Sequence, residues 1–468
     1  MSTTAAPVTA SGSTPGDVVT AEVERLRATF AGGRTRPLAW RRTQIEGIAR
    51  LLDEQEPRLA AAIEADLGRQ AMATFMGDIA PVRAEARHTL KQLAKWVRPQ
   101  RVRVPMAQLP GKAWTAPEPK GVVLVVGPWN FPVLLTLHPL VSALAAGNAV
   151  VVKPSELTPR TSAALAELLP RYVDPDAIAV VEGDASVSGA LLAERFDHIF
   201  FTGSERVGKI VLRAAAEHLT PVTLELGGKS PVIVSRDANL DVAARRIAWA
   251  NALNAGQACI APDYLLVEDA IREPFMERLL REVERTGRDH PSRVINTGHA
   301  ERLAALLDGH GGAVACGGRV DGAGKQVTPT VITDPDPGSD LMTEEIFGPI
   351  LPVLSVPSVA DAIAFVNDRP KPLALYVFTE SQDVVDVVTG STSSGSVGIN
   401  HLLYQLLVPE LPFGGVGTSG MGAYHGRHGF DTFSHRKAVL HKPTKPDPSM
   451  AYPPYGPIAS RIMRRMMG

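Results

Sequence analysis

The chain has 468 residues, and at about 150 residues per domain that length implies two or three domains around a large core. Hydrophobic residues make up 45% and charged residues 21%, which are ordinary globular proportions. A net charge of -1, from 48 basic and 49 acidic side chains, excludes a protein built on overall attraction to nucleic acid or to an anionic membrane.

In chain order, residues 1–16 have neither a basic n-region nor an apolar h-region, so they read as a disordered tail and not as a signal peptide. The next stretch is helical in pattern. Ile45, Ile48, Leu51 and Leu52 share a face before Pro57 interrupts, and Ile79, Val82, Leu90, Leu93 and Trp96 share another. Residues 101–118 suggest an extended arm or hairpin. Gly121–Val152 carries no charge over 32 positions, but Gly127-Pro128, Pro132, Pro139 and Gly147-Asn148 cut it into pieces too short to span a membrane. Strand, helix, strand is the better reading, because parallel strands are apolar on both faces.

Strands are then expected at Val122–Val126, Ala149–Lys153, Ala177–Val181, His198–Phe201, Val222–Leu226 and Pro231–Val234, with helices such as Thr161–Leu169 and Arg206–Ala216 between them. The alternation resumes at Tyr264–Val267, a helix near Ile271–Glu284, Leu351–Leu354, Leu373–Phe378 and Gly395–Ile399. The fold class is therefore α/β: two doubly wound, Rossmann-like domains in series, joined near residues 227–231. No repeat of solenoid length is present. The Pro-rich stretch Lys442–Pro457 should be extended.

Two cysteines, Cys259 and Cys316, exclude a disulfide framework and make a reducing, cytoplasmic setting the expectation. Cys259 follows small residues in Asn254-Ala-Gly-Gln-Ala-Cys, where a turn can expose it; a buried, inert thiol is the alternative. A nucleophile needs a base and an oxyanion donor. Glu225 ends an apolar strand, where α/β sheets open onto ligand crevices, and is the candidate base; a strand-end salt bridge to Lys229 is its alternative. Asn130, just past the Gly127-Pro128 breaker, is the candidate donor, or else a turn residue. Gly203, Ser204 and Gly208 flank a helix start that can hold a phosphate, and Lys153 and Glu156 sit past a neighbouring strand end, where a carboxylate suits a ribose hydroxyl. His425, His428 and His435 have no carboxylate or cysteine at a ligand spacing, so no metal is expected. Cys316 falls in an expected loop.

Taken together, Gly127-Pro-Trp-Asn-Phe-Pro, Ala146-Gly-Asn-Ala-Val-Val-Val-Lys-Pro-Ser-Glu, Phe201-Thr-Gly-Ser, Leu224-Glu-Leu-Gly-Gly-Lys, Gly256-Gln-Ala-Cys and Glu344-Glu-Ile-Phe-Gly-Pro resemble the aldehyde dehydrogenase superfamily. Cys259-Ile-Ala-Pro-Asp-Tyr, Arg369-Pro-Lys-Pro-Leu-Ala-Leu-Tyr and the run Leu411–Gly426 resemble its class 3 branch. Glu225 and Cys259 stand 34 residues apart, as in that family. The resemblance implies NAD- or NADP-dependent oxidation of an aldehyde through a Cys259 thiohemiacetal and thioester. Asn130 and the Cys259 N–H would steady the oxyanion, and Glu225 would activate water. By the same resemblance Lys153 and Glu156 would bind the adenosine ribose, Glu345 the nicotinamide ribose, and Trp129 and Phe347 would flank the cofactor, with Ser204 near the pyrophosphate. Trp249 would wall the substrate pocket, and the apolar loop 400–407, without an arginine for a substrate carboxylate, favours a medium-chain aliphatic or aromatic aldehyde. An acylating, coenzyme A-dependent enzyme and a catalytically idle cofactor-binding protein are the other readings; retention of Glu225, Asn130 and Cys259 disfavours both.

The expected division is a tail at 1–16, helices and a cofactor domain at 17–227 with an arm at 101–118, a catalytic domain at 228–410, a return to the cofactor domain and an oligomerisation strand at 411–445, and a Pro-rich, basic tail at 446–468. Class 3 relatives imply a homodimer whose arms, residues 101–118 and 433–442, complete the partner's sheet. No nucleic-acid partner and no membrane span are expected. Arg461–Gly468 is too short to bind a membrane more than marginally, and reads as a frayed tail or a subunit contact.

Overall fold

The computed structural model describes residues 14–289 and 293–467. Three larger sheets organise them, beside a two-stranded ribbon of Val320–Asp321 and Gln326–Val327. The first has six strands in the order Gly420–Met421, Val222–Glu225, His198–Thr202, Val122–Val126, Ala149–Lys153 and Ile178–Val180. All are parallel except the short Gly420–Met421, which returns from far along the chain and pairs antiparallel with Glu225 and Leu224. The second has seven strands in the order Ala313–Cys316, Thr330–Thr333, Ile350–Val356, Tyr264–Glu268, Pro231–Val234, Ala374–Phe378 and Ser396–Ile399, parallel apart from the first. The architecture is α/β with two doubly wound sheets.

Burial explains the uncharged stretch. Val122–Val125 and all of Ala149–Lys153 are buried, as is every residue of the helix Leu134–Ala146 between them. Helices cover both faces of these strands, so neither face needs polar side chains. Among the described residues, no helix is long and apolar enough to cross a membrane.

The third sheet is antiparallel: Gln100–Val102 and Ser434–His441 flank Lys112–Pro119. The two arm segments thus pair with each other inside one chain.

Several expectations needed correction. The helix Pro15–Ala31 begins inside the expected tail, because Thr14 accepts from the Asp17 N–H at 3.3 Å while Asp17 accepts from the Thr14 N–H at 2.8 Å. The rest of that tail, residues 1–13, lies outside the described residues. Pro57 does not merely interrupt a helix; it sits in the first turn of the next, Glu56–Leu67, where its missing N–H costs nothing. Cys316 ends a strand, not a loop. The stretch 442–457 contains a short turn of helix at Ser449–Ala451. Instead of a frayed tail, Pro457–Met467 is a helix with Arg464 and Arg465 in its last turn, where cations suit the helix dipole; Gly468 lies outside the described residues.

Candidate active site

Cys259 lies where two cavities meet. One, of about 320 Å³, is lined almost wholly by apolar side chains, among them Phe131, Leu135, Trp249, Leu403 and Phe413. The other, of about 300 Å³, is lined by Trp129, Asn130, Gly203, Ser204, Glu225, His299, Glu345 and Phe347. Cys259 borders both.

The loop before it is held out of helical geometry. Asn254, Ala255 and Gly256 have φ of +51°, +54° and +71°, a run that side chains other than glycine rarely adopt. Gln257 braces it: its amide donates to Asn254 O at 2.8 Å and to Arg293 O at 3.1 Å, and its carbonyl oxygen accepts from Ile295 N–H at 2.9 Å. Burial, together with the charges of Glu345 and Glu225, pushes the Cys259 thiol well up.

Glu225 ends the strand Val222–Glu225 and is 2% exposed. Neither carboxylate oxygen has a hydrogen-bond partner among the described residues, and burial holds its pKa well above the ordinary range. The salt bridge to Lys229 is not made. Lys229 instead pairs with Asp263 and donates to Leu341 O at 2.8 Å and Glu344 O at 2.9 Å, on the far side of the two glycines. Asn130 is buried, and its amide donates to Gln257 O at 3.2 Å. An Asn amide has two N–H groups, so one is left over.

Glu345 faces the same cleft. Burial, then repulsion from Asp263, raises its carboxyl to about 8. A methyl group at Gly227 would collide with that carboxylate, so the second position after Glu225 admits only glycine without rearrangement. Phe347 has φ +52° and meets Trp129 edge-on at 5.3 Å. Ser204 caps the helix Glu205–Ala216, turning that helix's N-terminus toward the cleft its residue lines. Gly208 does not line it; a side chain there would press on Leu226 at 2.9 Å, so it serves helix–strand packing. Lys153 and Glu156 do not line it either. Lys153 Nζ donates to Pro154 O and to Glu156, both at 3.0 Å, at the end of the strand beside the one that leads to Asn130.

Sequence reasoning missed four residues. His299 donates from Nε2 to Phe347 O at 2.8 Å and contacts Trp129 and Phe347 edge-on; burial lowers its pKa to about 4, so it is neutral. Arg302 donates to Glu345 O at 3.2 Å and to Ile346 O, fixing the same segment. The signal available was Asn296, a helix cap three residues before His299. The others, Arg69 and Asp78, have no motif around them. The loop 400–407 carries no arginine, but Arg69, from a different part of the chain, lines the apolar cavity, paired with Asp78. Trp249 lines that cavity, edge-on to His401 and Tyr404.

The cleft suits a dinucleotide on its own features. It combines a helix N-terminus at Ser204, Gly203 in its lining, a buried Thr202 hydroxyl without a partner among the described residues, and flat aromatic walls.

Comparison with known proteins finds relatives over nearly the whole chain. Residues 4–439 match the aldehyde dehydrogenase family. The chain is 46% identical over 442 residues to aldehyde dehydrogenase family 3 member A2 of Rattus norvegicus, covering 92% of this chain and 91% of that protein. It is 45% identical over 427 residues to the dimeric NADP-preferring aldehyde dehydrogenase of the same organism, covering 90% and 94%. Among solved structures, the substrate-bound state of Staphylococcus aureus AldH superposes with a TM-score of 0.91 at 37% identity, covering 96% of this chain and 99% of that one.

Proposed function

The chain belongs to the aldehyde dehydrogenase family and is an NAD(P)-dependent oxidoreductase; from that premise we propose that it oxidises medium-chain aliphatic or aromatic aldehydes to carboxylic acids by covalent catalysis at Cys259. The observation that carries this reading is the position of Cys259, open on one side to an apolar cavity and on the other to the polar cleft. NAD or NADP, when bound, supplies the hydride acceptor.

The apolar cavity takes the aldehyde's chain and presents its carbonyl carbon to the sulfur. Cys259 attacks as its proton leaves to Glu225, whose oxygens are otherwise unengaged. The oxyanion accepts hydrogen bonds from the spare N–H of Asn130 and from the Cys259 backbone N–H; both donors are neutral, so they stabilise a charge that exists only briefly. Once hydride has left, the sulfur carries a thioester. Glu225 passes the proton it took from Cys259 to solvent; its carboxylate then takes a proton from water, which attacks the acyl carbon, and as the C–S bond breaks the acid leaves and that proton returns to the Cys259 sulfur.

Within the cleft, Glu345 is positioned for a ribose hydroxyl, Trp129 and Phe347 for the flat nicotinamide, and Gly203 and Ser204 for the pyrophosphate. Lys153, Glu156 and Gly208 lie outside that cleft, and we assign the first two to the more distant adenosine ribose and Gly208 to packing. Trp249 walls the substrate cavity. Residues 17–227 with 411–445 would then form the cofactor half and 228–410 the catalytic half. The exposed edge strand Ser434–His441 with its Leu440, and the exposed apolar Val102, Met106 and Leu109 of the arm, support a homodimer through the three-stranded sheet.

Purified protein given NAD or NADP with hexanal, benzaldehyde or succinic semialdehyde tests the reading by reduced-cofactor absorbance. Turnover of hexanal or benzaldehyde is expected. Turnover of the semialdehyde alone would overturn the assignment of the apolar cavity.

A further inference from the structure

Asn130 is held by a buried ion pair that belongs to no recognisable motif. Arg69 follows the helix Glu56–Leu67 and is 3% exposed; Asp78, in the wide helical turn Phe75–Ile79, is 0% exposed. The two pair directly. Arg69 Nη1 also donates to the Asn130 carbonyl at 3.1 Å, and its guanidinium lies over the Phe131 ring at 4.7 Å. Asp78 Oδ1 accepts from the N–H groups of Val133 and Leu134 at 2.9 and 2.8 Å. One salt-bridged pair therefore grips residues 130–134 at three points, in the loop between the strand Val122–Val126 and the helix Leu134–Ala146.

Stability alone does not account for the pair. Desolvation of two buried charges offsets most of their attraction, and an apolar pair of similar volume is often as stable. Burial pushes the guanidinium down and the carboxyl up from their usual values, while their mutual attraction opposes both shifts. What such a pair adds is a fixed geometry, and the geometry here is that of the Asn130 backbone. The Asn130 carbonyl takes a second hydrogen bond from Asn254 Nδ2 at 3.0 Å, so it is tied at once to the N-terminal helices and to the Cys259 loop. Neutrality matters too. Arg69 lines the cavity through which a carboxylate product leaves, and Asp78 keeps that wall from holding it.

We propose that Arg69, backed by Asp78, is a positioning residue for the reaction: it fixes the backbone of Asn130 so that the spare amide N–H meets the developing oxyanion above Cys259. This rests on the oxyanion role proposed for Asn130, and the test separates the two.

The measurement is a double-mutant cycle on the rate of hydride release from hexanal in the full-length protein with saturating NAD. Asn130→Ala should slow turnover by about 100-fold or more. Arg69→Met/Asp78→Asn removes both charges together yet keeps a side-chain oxygen for the Val133 and Leu134 N–H groups, so no unpaired buried charge remains. It should lower kcat by about 10-fold or more while the KM for NAD stays within about twofold, a split that a general loss of structure would not give. Added to Asn130→Ala, it should cost no more than about threefold further, because both act on one contact. Losses that multiply, or parent-level kcat in Arg69→Met/Asp78→Asn, overturn the positioning role while leaving the oxyanion role intact. Parent-level kcat in Asn130→Ala overturns both.

Discussion

At the scale of single residues, the chemistry depends on where charge is left without a partner. A Glu at a strand end would ordinarily be solvated or salt-bridged; Glu225 is neither: both carboxylate oxygens are buried without a partner among the described residues, and the residue lines the cleft that Cys259 borders. Lys229, four residues on, is drawn off by Asp263 and two carbonyls. The two side chains should separate in their mutant phenotypes. Cys259→Ala should abolish aldehyde oxidation and leave cofactor affinity unchanged, as read by cofactor binding titration; residual turnover would rule out the covalent route. Glu225→Gln should still take up one acyl group, seen as a mass increase after rapid quench, but release it at least about 100-fold more slowly. Because the proposed base is ionised Glu225 and burial raises its pKa, the parent's acyl release should accelerate as pH rises, and the Gln variant should lose that dependence.

Backbone geometry decides the site at the scale of elements. Cys259, the proposed nucleophile, follows a short, kinked turn, Leu253–Gly256, between a helix and a strand, with three consecutive residues at positive φ. A methyl group at Gly256 would collide with the Gly348 carbonyl, and its φ of +71° disfavours any side chain. Gly256→Ala should therefore destabilise the protein by about 2 kcal/mol or more and lower kcat, since relief of the clash must move either Cys259 or the Glu345–Phe347 segment. Thermal melting and steady-state kinetics check this; a variant with the parent's melting temperature and kcat would mean that the turn is not rigid. The periodic strands were legible because burial on both faces leaves only apolar residues in them. His299 and Arg302 were not, because a helix of mixed composition does not announce which of its polar side chains reach a loop 40 residues later.

The whole molecule keeps several carboxyls protonated that an unfolded chain would release. Glu345 is raised to about 8, Glu85 to about 7 and Glu225 well up, from 4.5, all chiefly by burial. The folded state thus binds more protons than the unfolded one up to about pH 8, so these groups lose stability as pH rises. Buried His138, His198, His299 and His425 act oppositely, since burial lowers their pKa below 6.5, but their effect is complete by about that pH. Between pH 6.5 and 8 the cofactor-free protein should therefore melt at progressively lower temperature. Glu345→Gln should flatten the slope, and a rising melting temperature would mean that the carboxyls are ionised in the fold. The proposed dimer belongs to this scale as well. The parent should sediment at about twice the 49.9 kDa of one chain, and Leu440→Glu, on the exposed edge strand, should shift it toward the monomer. A monomeric parent would remove the interface.

From the sequence alone came the α/β class, most strand positions, and the motif residues Cys259, Glu225 and Asn130, because each depends on local pattern: apolar runs, breakers, and short strings at strand ends. Even the return of Gly420–Met421 to the first sheet leaves the fold class unchanged. Only the tertiary structure decided which charges cancel. Lys229 could face Glu225 or Asp263, and Arg69 could line a cavity as a free cation or as half of a buried pair; nothing in the spacing of the chain distinguishes these outcomes. Partner choice among charges depends on distance and desolvation after packing, over separations from nine residues for Arg69 and Asp78 to 34 for Lys229 and Asp263. Local sequence does not encode those quantities, and they determine which carboxylate in this cleft remains free to act.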